Sequence, residues 1–341
     1  MKKIGILHGT ETTFSDAFME RVNKNAAGEI IAEAIRIDKV IQEEVPPYAV
    51  ILDSISQHVP FYRAYLKNAA LSGTAVINNP FWPGGEDQFF HSNLASRIGV
   101  PVPKTVLLPS RDLPEGTSGA SFGNLVYPLN WDYIFDYIGF PAYLKPVSAG
   151  AGKPIYKVHG PEEFFAKQAG TAREVMMLQE EIVFDAYFRC CSVGAADIRI
   201  ISDDPLRTDP LRHGSGEAPG PSMESQLYEY TRRLNLHLGC DFNKVEFAVR
   251  GGVPYAIDFC NPVFDAAPGS MKESNFRWMV ETAADYAIHR AETFREGADN
   301  LTWGLYLARA EEHQRFGRWI TPPDRPDISR RITGREVPET L

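Results

Sequence analysis

The chain has 341 residues, 44% hydrophobic and 23% charged, with a formal net charge of -9 and a pI near 5.5. That is enough chain for about two or three domains with a packed core. It is too acidic to hold nucleic acid or an anionic membrane through bulk electrostatics, and no apolar run reaches the roughly 20 residues of a membrane helix.

Residues 1–80 alternate strand and helix patterns. The apolar run at Ile4 is too short for a signal peptide and reads as a first strand over 4–8. Further strands are expected over 30–37, 48–52 (ending at Asp53) and 74–77. Helices are expected over 12–25, capped by Thr13 or Ser15, and over 60–71, where Phe61, Tyr65, Leu66 and Ala69 recur at helical spacing before Gly73. This alternation predicts a small parallel sheet with helices on its faces. The turn Gly9-Thr10-Glu11-Thr12 is not a GxGxxG fingerprint, so it points to no dinucleotide.

The turn-rich run 78–85 marks a boundary. A helix is expected over 86–98, a Pro-bracketed edge strand over 100–108, a loop over 110–125 and a short helix over 130–137. Residues 140–158 then read as strand, small-residue turn, strand. Lys145 lies inside the first strand, just before Ser148-Ala149-Gly150-Ala151-Gly152. An ammonium there can meet phosphate oxygens while the loop's backbone N–H groups close over the rest. An edge lysine beside an ordinary hairpin loop fits the same residues, and there is no GxxxxGK[ST] run.

A helix over 160–168 carries acids in its first turn. Strands are expected over 174–182 and 186–194. The second embeds Arg189 among apolar neighbours, as either an ion-paired core-edge residue or an anion clamp. Residues 202–221 form a long polar loop with Arg207, Arg212 and His213. An amphipathic helix capped by Ser222 is expected over 222–238, helices over 275–294 and 300–310, and a Pro-rich tail at the end. Cys190, Cys191, Cys240 and Cys260 form no CxxC pair, so reduced thiols in a cytosolic protein are expected and a zinc site is not.

The most informative stretch is 245–262. Two runs rich in Val, Phe, Tyr and Ile flank Gly251-Gly252, the signature of a tight β-hairpin. Glu246 opens the first strand, Asp258 closes the second, and Asn261 follows. Pairing about the Gly-Gly turn puts both carboxylates near one end of the hairpin. Two carboxylates and an amide oxygen are hard ligands that suit Mg²⁺; acids facing water are the alternative that spacing leaves open. The step from Asp258 to Asn261 needs one residue bulged out between them.

In order, Tyr143-Leu144-Lys145-Pro146 before a small-residue loop, Leu178-Gln179-Glu180-Glu181-Ile182 before Arg189, and Glu246 followed by Asp258-Phe259-Cys260-Asn261-Pro262 resemble the ATP-grasp superfamily. The likeness is nearest to its RimK-like and glutathione-synthetase-like bacterial group, runs roughly over 45–285, and rests on joint order rather than on one motif. It implies an α/β and α+β fold. A Rossmann-like pre-ATP-grasp domain would span 1–80. The ATP-grasp small lobe with its phosphate loop would span 81–180, the C-terminal lobe with the metal site 181–320, and a flexible tail 321–341.

The resemblance also implies ATP and Mg²⁺ as cofactors. Lys145 matches the strand lysine at the phosphates, and Ser148, Gly150 and Gly152 match the mobile loop. Gln179, Glu180, Glu181, Ile182 and Val183 match the inter-lobe hinge that meets adenine and ribose, with Asp185 as a further ribose ligand. Glu246, Asp258 and Asn261 match the metal ligands, Arg189 matches the arginine that stabilises the transferred phosphoryl group, and Arg207, Arg212 and His213 fall where substrate contacts lie. The departures are Gln88 in place of a phosphate-contacting lysine, Ser54 in place of an arginine, a loop poorer in glycine, and the longer Asp258–Asn261 step. The implied activity is ATP-dependent carboxylate–amine ligation through an acyl phosphate. The alternatives are an ATP-binding sensor or partner subunit without turnover, and an ATP-grasp phosphotransferase. The expected partners are small-molecule carboxylate and amine substrates, with no nucleic acid or membrane; a homodimer is one candidate assembly. The expected location is cytoplasmic.

Overall fold

The computed structural model describes residues 1–26, 28–42, 44–78, 80–81, 87–148, 153–194, 196–205, 216–261 and 271–295. They form a mixed α/β molecule with three four-stranded sheets.

The first sheet is parallel. Strands β1 (Lys2–Leu7), β2 (Ile30–Ala34), β3 (Val50–Asp53) and β4 (Ala75–Ile77) lie in the order β2-β1-β3-β4. Their central residues are apolar because both faces are covered, and the charged Lys2, Lys3, Glu33 and Asp53 fall at or near strand ends. Helix α1 (Thr13–Asn25) packs Phe18 and Val22 on one face, with Ile4, Ile6, Val50 and Leu52. Helix α2 (Pro60–Leu71) packs Tyr65, Leu66 and Ala69 on the other, with Leu7, Ile51 and Val76.

The second sheet is antiparallel, in the order β5-β8-β6-β7. Its strands are β5 (Thr105–Leu108), β6 (Ala142–Pro146), β7 (Tyr156–Val158) and β8 (Met176–Glu180). Helices α4 (Trp131–Ile138) and α5 (Pro161–Gln168) cover one face. There Trp131, Phe135, Phe164 and Phe165 pack with ring centroids 5.2–5.8 Å apart.

The third sheet joins β9 (Ala186–Val193), β10 (Asp197–Ser202), β11 (Phe242–Arg250) and β12 (Val253–Asn261) in the order β10-β9-β11-β12. One face is apolar: Phe188, Cys190, Val245, Phe247 and Val249 meet Leu227, Leu234 and Leu238 of α6 (Pro221–Leu238). Leu94 and Ala95 of α3 (Gln88–Arg97) join the same core. The edge of β12 is closed where Ala256 N donates to Pro101 O at 2.8 Å.

Helix α7 (Glu273–Glu292) returns from the far end of the described chain to the first sheet. It lies beside α1, and Ala283, Ala284, Ala287 and Ala291 enter the core that holds Ile4 and Val50. Val193 and Phe242 of the third sheet reach that core too, so the two sheets share it. Beside this junction the Asn78 side chain donates to Phe242 O at 3.0 Å and accepts from Phe242 N at 2.6 Å.

The described strands and helices lie where the sequence patterns place them, with ends moved by up to about five residues, except that β10 is not among the expected strands. Its Asp197 and Arg199 dilute the apolar signal of an edge strand. Helix α6 begins with Pro221 at its first position and Gly220 as its cap, so Ser222 is not the cap; α1 is entered from Thr12 without a side-chain capping bond, so neither Thr13 nor Ser15 serves. All four cysteines are free. Cys190 and Cys191 are buried, which pushes their thiols up to about 12 and about 11. The expected helix over 300–310 and the tail over 321–341 lie outside the described residues. No helix among the described residues is long and apolar enough to cross a membrane.

Asn78→Ala removes both bonds to Phe242, and an unmatched buried amide costs about 1–3 kcal/mol. An unfolding free energy lowered by that much, read as a lower urea midpoint at unchanged slope, is the expected outcome.

Candidate functional site

The site begins with strand periodicity. On β9 and β11 the residues alternate between faces, so while Phe188, Cys190, Val245 and Phe247 enter the core, Tyr187, Arg189, Lys244 and Glu246 share the opposite face. The register sets Ala248 beside Tyr187, Glu246 beside Arg189, and Lys244 beside Cys191. At the hairpin turn Gly251 and Gly252 have φ of 57° and 78°, the left-handed conformation that a two-residue turn needs. The Asp185 carboxylate accepts from Gly251 N at 3.0 Å and anchors the turn.

At the other end β12 departs from ideal pairing. Glu246 faces Asp258 and Lys244 faces Asn261, so three residue steps on β12 span two on β11; a second irregularity lies between Glu246 and Phe247. This is the bulge that the Asp258–Asn261 spacing calls for. A bulge breaks ladder bonds, and here a side chain replaces them. The Asn243 amide donates to Phe259 O at 3.0 Å and accepts from Asn261 N at 2.9 Å, acting as a substitute peptide group. Asn243 also donates to Asn235 Oδ1 at 2.8 Å, and Asn235 donates to Ser192 Oγ at 2.6 Å. All three residues are buried, so the network is both satisfied and shielded.

Glu246 is the most heavily partnered acid. Its carboxylate lies 3.3 Å from the Arg189 guanidinium and 3.2 Å from Lys244 Nζ, and accepts from the Tyr187 hydroxyl at 2.6 Å. Burial opposes its charge, but Lys244, Tyr187 and Arg189 outweigh burial and hold the carboxyl below its ordinary range. Arg189 also meets Asp203 at 3.1 Å. Asp258 is the opposite case. Burial, then the facing Glu246, push its carboxyl above the ordinary range, against the pull of Lys244, Asn261 and Lys145. Asn261 donates from its amide to Lys244 O at 3.1 Å.

Lys145 projects from β6 of the second sheet into a cleft that it lines with Asp258 of β12 and with Gln88, His91 and Ser92 of α3. Burial lowers its ammonium's pKa and Asp258 partly restores it. Helix α3 is tied to the end of β6 where Gln88 N donates to Val147 O at 3.0 Å. Ser148 accepts from Lys153 Nζ at 2.7 Å, and Lys153 pairs with Glu174 at 2.9 Å. Gly150, Gly152, Arg207, Arg212 and His213 lie outside the described residues.

In the expected hinge, Gln179 is buried and donates to Thr105 Oγ1 at 2.9 Å. Glu180 pairs with Arg250 at 3.3 Å, which links the second sheet to the hairpin of the third. Glu181 pairs with Lys157 at 2.7 Å and accepts from the Tyr143 hydroxyl at 3.3 Å. Ile182 packs with Tyr187 and Ala248, whereas Val183 is exposed. This segment therefore adjoins the turn end of the hairpin, and the acids stand at the other end. Ser54, by contrast, donates to Leu7 O at 3.1 Å within the first sheet.

This arrangement of sheets recurs in solved structures. A RimK-domain ATP-grasp protein from Sphaerobacter thermophilus is 17% identical, covers 84% of this chain and 99% of its own, and superposes with a TM-score of 0.57. A D-alanine–D-alanine ligase from Bacillus anthracis, complexed with ATP, is 15% identical, with coverages of 86% and 97% and a TM-score of 0.59. The chain has an ATP-grasp fold. A RiPP-associated ATP-grasp ligase from Chryseobacterium gregarium, in complex with ADP and a leader and core peptide, shares it at 13% identity, with coverages of 88% and 99% and a TM-score of 0.53. No protein-family model matches the sequence, and no curated protein does.

Lys145 and Asp258 meet in the cleft, and Glu246 and Arg189 follow from Asp258 across the third sheet, so residues from three segments distant in sequence come together. Lys244, Tyr187 and Asp203 belong to the same wall and Asn243 braces it from the buried face; the sequence reading names none of the four. Lys244 and Tyr187 lie on the Glu246 face by simple alternation, a signal available in advance; the Asn243 role depends on the bulge. The donors fit a hard divalent cation. They are all oxygens, and Asp258 is an anion whose burial and like-charged neighbour leave it under-compensated. Among the described residues no group of three or more His, Cys, Asp or Glu side chains is placed to hold a metal, so the candidate set here is two carboxylates and one amide.

Asn243→Ala strips the bulge of its substitute peptide bonds, with an expected loss of about 2–4 kcal/mol. Chemical denaturation of wild type and variant measures it; a loss under about 0.5 kcal/mol, the size of an ordinary surface change, would remove the bracing role.

Proposed function

We propose that this chain is an ATP-dependent carboxylate–amine ligase, forming an amide or peptide bond through an acyl-phosphate intermediate. The observation that carries the reading is the meeting of Lys145, from one sheet, with the Glu246–Asp258 wall of another in the cleft of an ATP-grasp fold. The D-alanine–D-alanine and RiPP-associated proteins of similar structure are ligases by name, and one of them is complexed with ATP.

In the proposed reaction a substrate carboxylate oxygen attacks the γ-phosphorus of ATP, and the bond to the bridging oxygen breaks to release ADP. An amine nitrogen then attacks the acyl carbon, loses a proton, and displaces inorganic phosphate. Lys145 neutralises phosphate charge from the strand side. The burial of Lys145 strengthens that attraction. Arg189, held by Asp203 and Glu246, would bring its guanidinium charge to the transferred phosphoryl group. Glu246, Asp258 and Asn261 would hold Mg²⁺, which when bound supplies charge neutralisation on the phosphates. The hinge residues 179–183 and Asp185 would face the base and ribose. No step needs a covalent protein nucleophile. Gln88 favours one second reading, nucleotide binding without turnover, because the cleft has an amide there where an ammonium would add charge.

Incubation with ATP, Mg²⁺ and pools of amino acids and peptides is expected to release ADP only when an acid and an amine are both present. ATP binding without ADP release from any pool would favour the second reading, and a stable phosphorylated product a phosphotransferase. In thermal shift, ATP at 100 times its dissociation constant stabilises by about 2.7 kcal/mol. Asp258→Asn is expected to abolish the Mg²⁺-dependent part of that shift while raising the midpoint of the ligand-free protein in EDTA, since a buried charge facing Glu246 is removed. An undiminished Mg²⁺ effect in the variant would remove the metal assignment.

A further inference from the structure

Two side chains with unmet polar groups converge on the cleft. Lys145 makes no hydrogen bond and no ion pair among the described residues; only the charge of Asp258 acts on it. His91, from α3, is 3% exposed, and its Nδ1 is buried without a hydrogen-bond partner. Buried polar atoms are rarely left unmatched, and those that are point to a missing ligand or water. The helix that carries the ring is fixed in place. Leu94 and Ala95 on the same helix are locked in the core of the third sheet, His91 N donates to Asp87 O at 3.0 Å, and Gln88 N holds the helix start to the end of β6. Asp258 is the sole acid among the lining residues, and Gln88 and Ser92 add neutral polar groups. A ligand that meets an ammonium, an imidazole and an amide at once is an anion with several oxygens.

Position selects which part of a nucleotide that is. The hinge and Asp185 adjoin the turn at Gly251. Asp258 lies six residues along β12 from Gly252, about 20 Å of extended chain less the slack of the bulge. The His91 end of the cleft is thus the far end from the base. We propose that His91 is a ligand-contacting residue, whose imidazole N–H donates to a phosphate oxygen of the bound nucleotide beside Lys145. It supplies a donor on the wall where Gln88 brings no charge. This inference rests on the reading of the cleft as an ATP site.

Calorimetric titration of the full chain with adenosine, AMP, ADP and ATP tests it. His91→Ala is expected to weaken ADP and ATP about tenfold or more, as for a hydrogen bond to a charged group, and to leave adenosine within about twofold. His91→Asn, which keeps an amide near the position of ring Nδ1, is expected to recover most of the loss. If His91→Ala does not fold, His91→Leu takes its place, with similar volume and no donor. Unchanged ADP and ATP affinity in the donor-free variant overturns the His91 inference and leaves the proposed function standing. Equal weakening of adenosine and ATP overturns it too, because the residue would then be only structural. A wild-type chain that binds none of the four ligands overturns both.

Discussion

Two carboxylates held face to face across one hairpin are the constraint around which the third sheet is built. Glu246 and Asp258 sit opposite one another in the register, in a wall where burial raises the energy of each charge. Left alone, that pair would drive the strands apart or take up a proton. Glu246 is instead surrounded by Arg189, Lys244 and the Tyr187 hydroxyl, and Asp203 completes the balance around Arg189. Asp258 has weaker compensation, and its carboxyl stays raised. The asymmetry separates a braced acid from one left short of positive charge.

The bulge that aims Asp258 and Asn261 is itself supported from the buried side. Asn243 restores the broken ladder, Asn235 holds Asn243, and Ser192 holds Asn235. The polar groups on one face of the sheet thus depend on a polar network on its other face. A similar dependence joins the sheets. The alanine stripe of α7 and the Asn78–Phe242 pair fix the first sheet to the third, while Glu180–Arg250 and the tie between Gln88 and Val147 connect the third-sheet side to the second. The cleft lies where α3, the second sheet and the third sheet meet, which is why its walls come from segments more than 100 residues apart, such as Lys145 and Asp258.

Local chemistry made much of this legible in advance. Period-2 alternation about Gly251-Gly252 marks the hairpin, because only a turn with two positive-φ residues closes it so tightly. The odd step from Asp258 to Asn261 marks the bulge, because side chains on one strand return to the same face every second residue. Apolar strands separated by helical spacing mark the parallel sheet. Strand β10 leaves little signal because an edge strand needs little apolar surface, and Ser222 resembles a cap although Pro221 already starts the helix.

Sequence by itself determined the strands, most of the helices, the hairpin and the residue types able to meet phosphate and a hard cation, since each follows from backbone geometry and side-chain chemistry within a few residues. Tertiary structure decided which of those residues meet. It set Lys145 against Asp258, gave Glu246 its cations, recruited Asn243 to the bulge, and brought His91 from a helix with a weak pattern to the wall of the cleft. None of these is a local property: each requires two elements far apart in the chain to pack at one fixed separation, and burial then sets the energy of what they hold.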